Sequence, residues 1–89
     1  MYVESINMSA TLRSFIAENL LYSDDGFEYS DDASFLEEGI IDSLGVIELV
    51  LFVEQQCGVP VDDQDVTPEN FDSITRLTNY MLRKMSAEA

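Results

Sequence analysis

The 89-residue chain contains no histidine. That excludes any mechanism built on a histidine base, nucleophile or metal ligand, and no Cys/His zinc spacing exists. There is a single cysteine, Cys57, so no intramolecular disulfide can form, which suits a reducing compartment. The four glycines, Gly26, Gly39, Gly45 and Gly58, are scattered, which excludes a glycine-rich phosphate loop. No basic N-terminal segment leads into an apolar run, so no secretory signal is visible. No apolar run approaches the roughly 20 residues needed to cross a bilayer. A cytoplasmic location is the resulting expectation. Basic residues are also scarce. Arg13, Arg76, Arg83 and Lys84 stand against 18 acidic residues, for a formal net charge of −14. Such a surface repels nucleic acid and anionic headgroups, so neither is expected as a partner. It attracts proteins that present basic patches, in a salt-dependent way. The plain alternative is that acidity only maintains solubility.

What is present is enough apolar residue, 46%, for one compact core. The length predicts one domain over 1–89, with an ordered core over roughly 5–85. Met8, Leu12, Phe15, Ile16 and Leu20 recur at helical spacing and predict a first helix over 5–21, with Ser5, Asn7 or Ser9 as its cap. A Ser- and Asp-rich connection fills 22–42. Loops of this length are functional or anchored by their own apolar residues, here Phe27, Tyr29, Phe35, Leu36, Ile40 and Ile41. Neither Asp24-Asp25-Gly26 nor Asp62-Asp63-Gln64-Asp65 has calcium-loop spacing. A second helix is predicted from Ser43 to Cys57, capped by Asp42 or Ser43 and ended by Gly58 before Pro60. A short helical turn is predicted within 62–71, with Pro68 near its first position. A last helix from Asp72 or Ser73 carries Ile74, Leu77, Tyr80, Met81 and Met85 toward the core, and its tail, 86–89, is expected to fray. The fold class is therefore all-α, with three main helices and a short one.

The second helix has more apolar surface than one core contact needs. At about 100° per residue, Val46, Leu49, Val50, Val53 and Cys57 share one side. Leu44, Ile47 and Leu51 form a second stripe, flanked by Glu48 and Glu54. The wider cluster is the core candidate, and Cys57 on it reads as a buried structural cysteine. The second stripe, apolar within a charged rim, has the anatomy of a docking surface. The alternative is that the long loop covers it. Phe52 fits neither side.

Asp42-Ser43-Leu44 alone is a helix start. Its context is more specific. Phe35-Leu36-Glu37-Glu38-Gly39-Ile40-Ile41-Asp42-Ser43-Leu44, followed by Val46-Ile47-Glu48-Leu49-Val50, closely resembles the modification site of the acyl carrier protein family. Asp65-Val66-Thr67-Pro68-Glu69-Asn70-Phe71-Asp72-Ser73-Ile74 is similar to that family's third-helix region. The resemblance covers residues 8–85. It implies a right-handed four-helix bundle with a short third helix. It also implies a 4′-phosphopantetheine arm from coenzyme A, attached at Ser43 and carrying an acyl or aminoacyl thioester. By the same resemblance, Asp42, Leu44, Ile47, Glu48 and Leu51 face partner enzymes. Val66, Glu69, Phe71 and Ile74 complete the partner surface and the lip of a cargo cavity.

The partners so implied are a phosphopantetheinyl transferase and loading or processing enzymes with basic docking patches. The chain itself is expected to be a monomer and no enzyme. An acyl cargo from fatty-acid, polyketide or related biosynthesis is the leading expectation. An amino acid or peptide loaded by a dedicated ligase is the alternative. An acidic helical adaptor with no prosthetic group is the rival class. One departure stands out. Many fatty-acid carriers have an acidic residue after the Asp-Ser-Leu triplet, and this chain has Gly45. Glycine weakens a helix start by up to about 1 kcal/mol and removes a rim carboxylate, which favours a specialised pathway.

Overall fold

Both ends of the second helix are set by the signals that flank it. The Asp42 side chain accepts a 2.9 Å hydrogen bond from the Gly45 N–H, which satisfies one of the donors that a helix start leaves without a partner. Gly58 adopts φ +74 beyond the last turn and donates its N–H to the Glu54 carbonyl. A computed structural model describes the backbone of residues 2–88 and the side chains of 7–85. Its α-helices are α1 (Tyr2–Asn19), α2 (Ser43–Cys57), α3 (Pro68–Phe71) and α4 (Ile74–Glu88). A 3₁₀ turn, Asp63–Asp65, precedes α3. The fold is a small all-helical bundle.

α4 is the hub, and α1, α2 and α3 all pack on it. Leu12 and Ile16 of α1, Leu49 and Val53 of α2, and Ile74, Leu77 and Met81 of α4 are fully buried together. Phe71 contributes the one buried side chain of α3. Ser9 and Thr78 share a 3.0 Å hydrogen bond between the hydroxyls of α1 and α4. The Tyr80 hydroxyl donates to Asp65 at 2.8 Å and ties α4 to the 3₁₀ turn.

Several expectations are corrected. α1 starts at Tyr2 and ends at Asn19, so Asn7 and Ser9 lie inside the helix and cap nothing. Ser5 is inside it too, with its side chain outside the described residues. α4 begins at Ile74, and Ser73 serves its first turn by accepting the Arg76 N–H. The helix extends through Glu88, and Ala89 lies outside the described residues. Met85 is exposed on the last turn instead of packed inward. Phe52, unexplained by periodicity, stacks on Phe15 with ring centroids 4.0 Å apart and so fixes α2 against α1.

The long connection is anchored as much by polar contacts as by apolar ones. Phe35, Ile40 and Ile41 are buried, and Phe27 packs edge-on against Phe35, whereas Tyr29 and Leu36 are exposed, Tyr29 with its ring edge-on to Phe27. Asp72, nearly buried before α4, accepts the Leu36 N–H and the Ser34 hydroxyl on its carboxylate, while its carbonyl accepts the Phe35 N–H. Asp31 pairs with Arg13 at 2.8 Å, and its carbonyl takes the Thr75 N–H. The loop is thereby clamped to the start of α4, and the segment that leads into Ser43 is held in place.

Candidate functional site

Ser43 is the first residue of α2 and is exposed, as are its neighbours Asp42 and Leu44. It sits where the helix dipole presents its positive end, which favours an anionic substituent by a few tenths to about 1 kcal/mol. A Cβ on Gly45 would meet Ile41 Cγ2 at 2.5 Å, so this glycine allows α2 to begin tight against the buried end of the loop.

The two faces of α2 diverge. Leu49 and Val53 are buried, with Val46, Val50 and Cys57 half-buried against the same core. Leu44, Ile47 and Leu51 are 72%, 57% and 54% exposed. The loop does not cover them. Glu48 is exposed beside this stripe. Glu54 is not a rim residue. Its carboxylate turns to the chain reversal after α2 and accepts the Val61 N–H at 2.8 Å. Cys57 is half-buried, and burial pushes its thiol pKa up against a smaller opposite pull from Lys84.

On the flank of α2 toward α3 lies an apolar hollow of about 120 Å³. Phe35, Leu36, Val46, Val66, Pro68 and Phe71 form most of its wall. Val46 is one turn along α2 from Ser43, so the hollow can shelter an apolar group tethered there. Val66 is half-buried and Glu69 is exposed on α3. Phe71 lines the hollow but is only 5% exposed, so it serves the cavity wall and not a partner surface. Ile74 is fully buried and lies outside this lining, so its expected place at the partner surface and cavity lip is withdrawn. Leu36 and Val46 were read from the sequence as a loop anchor and a core residue, and the hollow gives them a further place. No periodicity could signal it, because the hollow forms between segments distant in sequence.

A family model described as a phosphopantetheine attachment site matches residues 10–81. The chain belongs to that family of phosphopantetheine-dependent carrier proteins. The carrier is also 30% identical over 56 residues to a D-alanyl carrier protein of Abiotrophia defectiva, a match covering 63% of this chain and 71% of the relative. The prosthetic group of the family is a covalently attached 4′-phosphopantetheine, and its members work with a phosphopantetheinyl transferase and with loading or biosynthetic enzymes. The exposed serine at a helix start, beside an apolar hollow, fits such a group. The adaptor reading without a prosthetic group is set aside. Among the described residues, no helix is long and apolar enough to cross a membrane.

Proposed function

We propose that Ser43 is the attachment residue and that the carrier holds its cargo as a thioester on the pantetheine thiol. The observation that carries this is the exposure of Ser43 at the start of α2, between the hollow toward α3 and the exposed Leu44/Ile47/Leu51 stripe. In the attachment step, Ser43 Oγ forms a bond to the pantetheine-side phosphorus of coenzyme A. The pyrophosphate P–O bond breaks and adenosine bisphosphate leaves with the electron pair. With no histidine in the chain, the hydroxyl proton passes to a base of the transferase. The chain contributes placement and docking and no catalytic group. Asp42, Leu44, Ile47, Glu48, Leu51, Val66 and Glu69 form the partner surface. A small apolar stripe in a charged rim gives steered, reversible association with successive enzymes. On this reading the chain is one carrier domain, acting as a monomer in the cytoplasm.

For the cargo, an acyl group of fatty-acid, polyketide or related biosynthesis remains the broad reading. Two observations favour its small end, and with it an aminoacyl group. The hollow, at about 120 Å³, is smaller than the roughly 150 Å³ cavities that take up benzene, so a long chain does not fit unless α3 moves from α2. The similarity to a D-alanyl carrier protein points the same way.

The test is incubation with coenzyme A, magnesium and a broad-specificity phosphopantetheinyl transferase, followed by intact and peptide masses. One phosphopantetheinyl unit mapped to Ser43, and absent in Ser43→Ala, is expected. A folded sample that gains no mass, or gains it elsewhere, overturns the assignment of Ser43.

A further inference from the structure

The hollow between α2 and α3 has one charged residue in its wall, Asp72. That residue is only 8% exposed. A carboxylate withdrawn this far from water costs free energy unless hydrogen bonds replace the water it loses, so its partners are informative. They do not lie in α4. Ser73 serves the first turn of that helix by accepting the Arg76 N–H. The Asp72 carboxylate accepts instead from two groups of the long connection, the Ser34 hydroxyl and the Leu36 N–H, the latter at 3.0 Å. Ser34 is fixed in turn, because its oxygen accepts the Glu37 N–H at 3.1 Å.

Two walls of the hollow are joined in this way. Leu36 belongs to the loop wall, and Asp72 directly follows Phe71, the end of α3. The α3 wall has supports of its own: the Pro68 carbonyl accepts from Arg76 and from the Asp72 N–H, and Asn70 bonds to Arg83 and to the Asp65 carbonyl. On the loop wall, Phe35 is held by burial and by its N–H on the Asp72 carbonyl, a backbone bond that no substitution removes. Leu36 has no such burial, at 58% exposed. The Asp72 side chain holds this lip at its distance from α3. At roughly 30 Å³ for a water-sized group, a hollow of about 120 Å³ takes about four of them, and so a chain of about four carbons.

We propose that Asp72 is a positioning residue that sets the longest apolar cargo the hollow shelters, by fixing the Leu36 lip against α3. This rests on Ser43 being the attachment residue. The hollow then widens on the loop side when the carboxylate is lost, with α3 left in place.

The test loads the carrier with acetyl, butyryl, hexanoyl or octanoyl pantetheine from the matching coenzyme A thioesters and follows urea unfolding of each. In wild type the folding constant should rise by about fourfold for each methylene sheltered and stop rising at butyryl. In Asp72→Ala the rise should continue to hexanoyl, a further gain of about tenfold. Asp72→Asn offers an oxygen to the Leu36 N–H and an N–H to the Ser34 oxygen, so it should restore the wild-type limit. Leu36→Ala removes the lip from an exposed position and should raise the limit even if Asp72→Ala fails to fold. Ser9→Ala, which loses the bond to Thr78 outside the hollow's lining, should lower every midpoint and leave the limit at butyryl. A limit that stays at butyryl in Asp72→Ala and Leu36→Ala, or that rises equally in Asp72→Asn or Ser9→Ala, overturns the proposal. Peptide masses separate the two readings. Acyl-pantetheine absent from Ser43 of wild type refutes the attachment assignment. The lip is then decided on the unmodified carrier, titrated with butanol and hexanol while the amides of Val46, Val66 and Phe71 are followed. Asp72→Ala should favour hexanol over butanol more than wild type does, and an unchanged preference overturns the proposal.

Discussion

Replacing Gly45 with alanine should destabilise the carrier, although helix propensity argues the reverse. Alanine is favoured over glycine inside a helix by up to about 1 kcal/mol. At this position the new Cβ would lie 2.5 Å from Ile41 Cγ2, against a carbon–carbon contact distance of roughly 3.5–4.0 Å. About 1 Å of relief is needed, and Ile41 is 5% exposed within the core, so it has little room to give. Overpacking of this kind costs about 1–3 kcal/mol. The net expectation is a loss of about 1–2 kcal/mol, or a Tm lower by about 4–8 °C for each kcal/mol. Urea unfolding followed by circular dichroism measures it, provided the slope is unchanged. The decisive control is Ile41→Leu, which moves the side-chain branch away from Cβ and removes Cγ2. In that background Gly45→Ala should be neutral or stabilising, a coupling of about 1–2 kcal/mol. A stabilising Gly45→Ala in wild type, or an equal cost in both backgrounds, would refute the packing argument. The glycine would then be what it looks like in the sequence, a mere absence of the acidic residue many fatty-acid carriers have there.

Other perturbations separate folding from docking. Ile47→Asp, on the exposed stripe, should change stability by less than about 0.5 kcal/mol while slowing phosphopantetheinyl transfer; an unfolded variant would show that Ile47 belongs to the core. Tyr80→Phe removes the hydrogen bond to Asp65 and should cost about 1–1.5 kcal/mol at neutral pH. Burial and that bond raise the phenol above its ordinary 10.0, so the stability from the neutral phenol is complete below that pH and is lost as pH climbs through the raised value. The wild-type decline above pH 10.0 should therefore flatten in Tyr80→Phe, as pH-dependent unfolding would show. Added salt should raise the unfolding midpoint by screening the self-repulsion of a −14 chain, yet slow the transferase by screening its attraction. Parallel changes in the two would refute electrostatic docking.

The sequence defined α2 to the residue because strong signals stand at both ends, Asp42 before it and Gly58 with Pro60 after it. Its double apolar character was legible for the same reason: a fixed start gives every side chain a defined angle. α1 was less legible. Ser5, Asn7 and Ser9 competed as caps, and a polar residue inside a helix looks like one at its start until the backbone is known. Phe52 could not be placed because its partner, Phe15, lies on another helix at an angle no periodicity encodes. Asp72 read as a candidate helix start and Glu54 as a flank of the exposed stripe, yet one clamps the loop and the other closes the turn after α2. Carboxylates that serve backbone N–H groups are indistinguishable by type from those that face solvent. The likeness to the third-helix region carried Ile74 to the partner surface, whereas packing put it in the core.

On α2, the residues that fold the carrier and those proposed to dock it are nearly separate sets, and Asp42 is the exception. Its carboxylate caps the helix through the Gly45 N–H, and the same exposed group stands next to Ser43. Asp42→Ala removes both functions and would show only that the residue matters. Asp42→Asn keeps an oxygen able to accept the Gly45 N–H but carries no charge, and asparagine caps helices about as well as aspartate. Stability should then hold within about 0.5 kcal/mol in Asp42→Asn and fall by about 1 kcal/mol in Asp42→Ala. Transfer to Ser43 should drop in both, by about tenfold, if the charge is what the transferase reads. Equal transfer by wild type and Asp42→Asn would assign the residue to the helix alone and leave Leu44 and Glu48 to account for recognition at that end of α2.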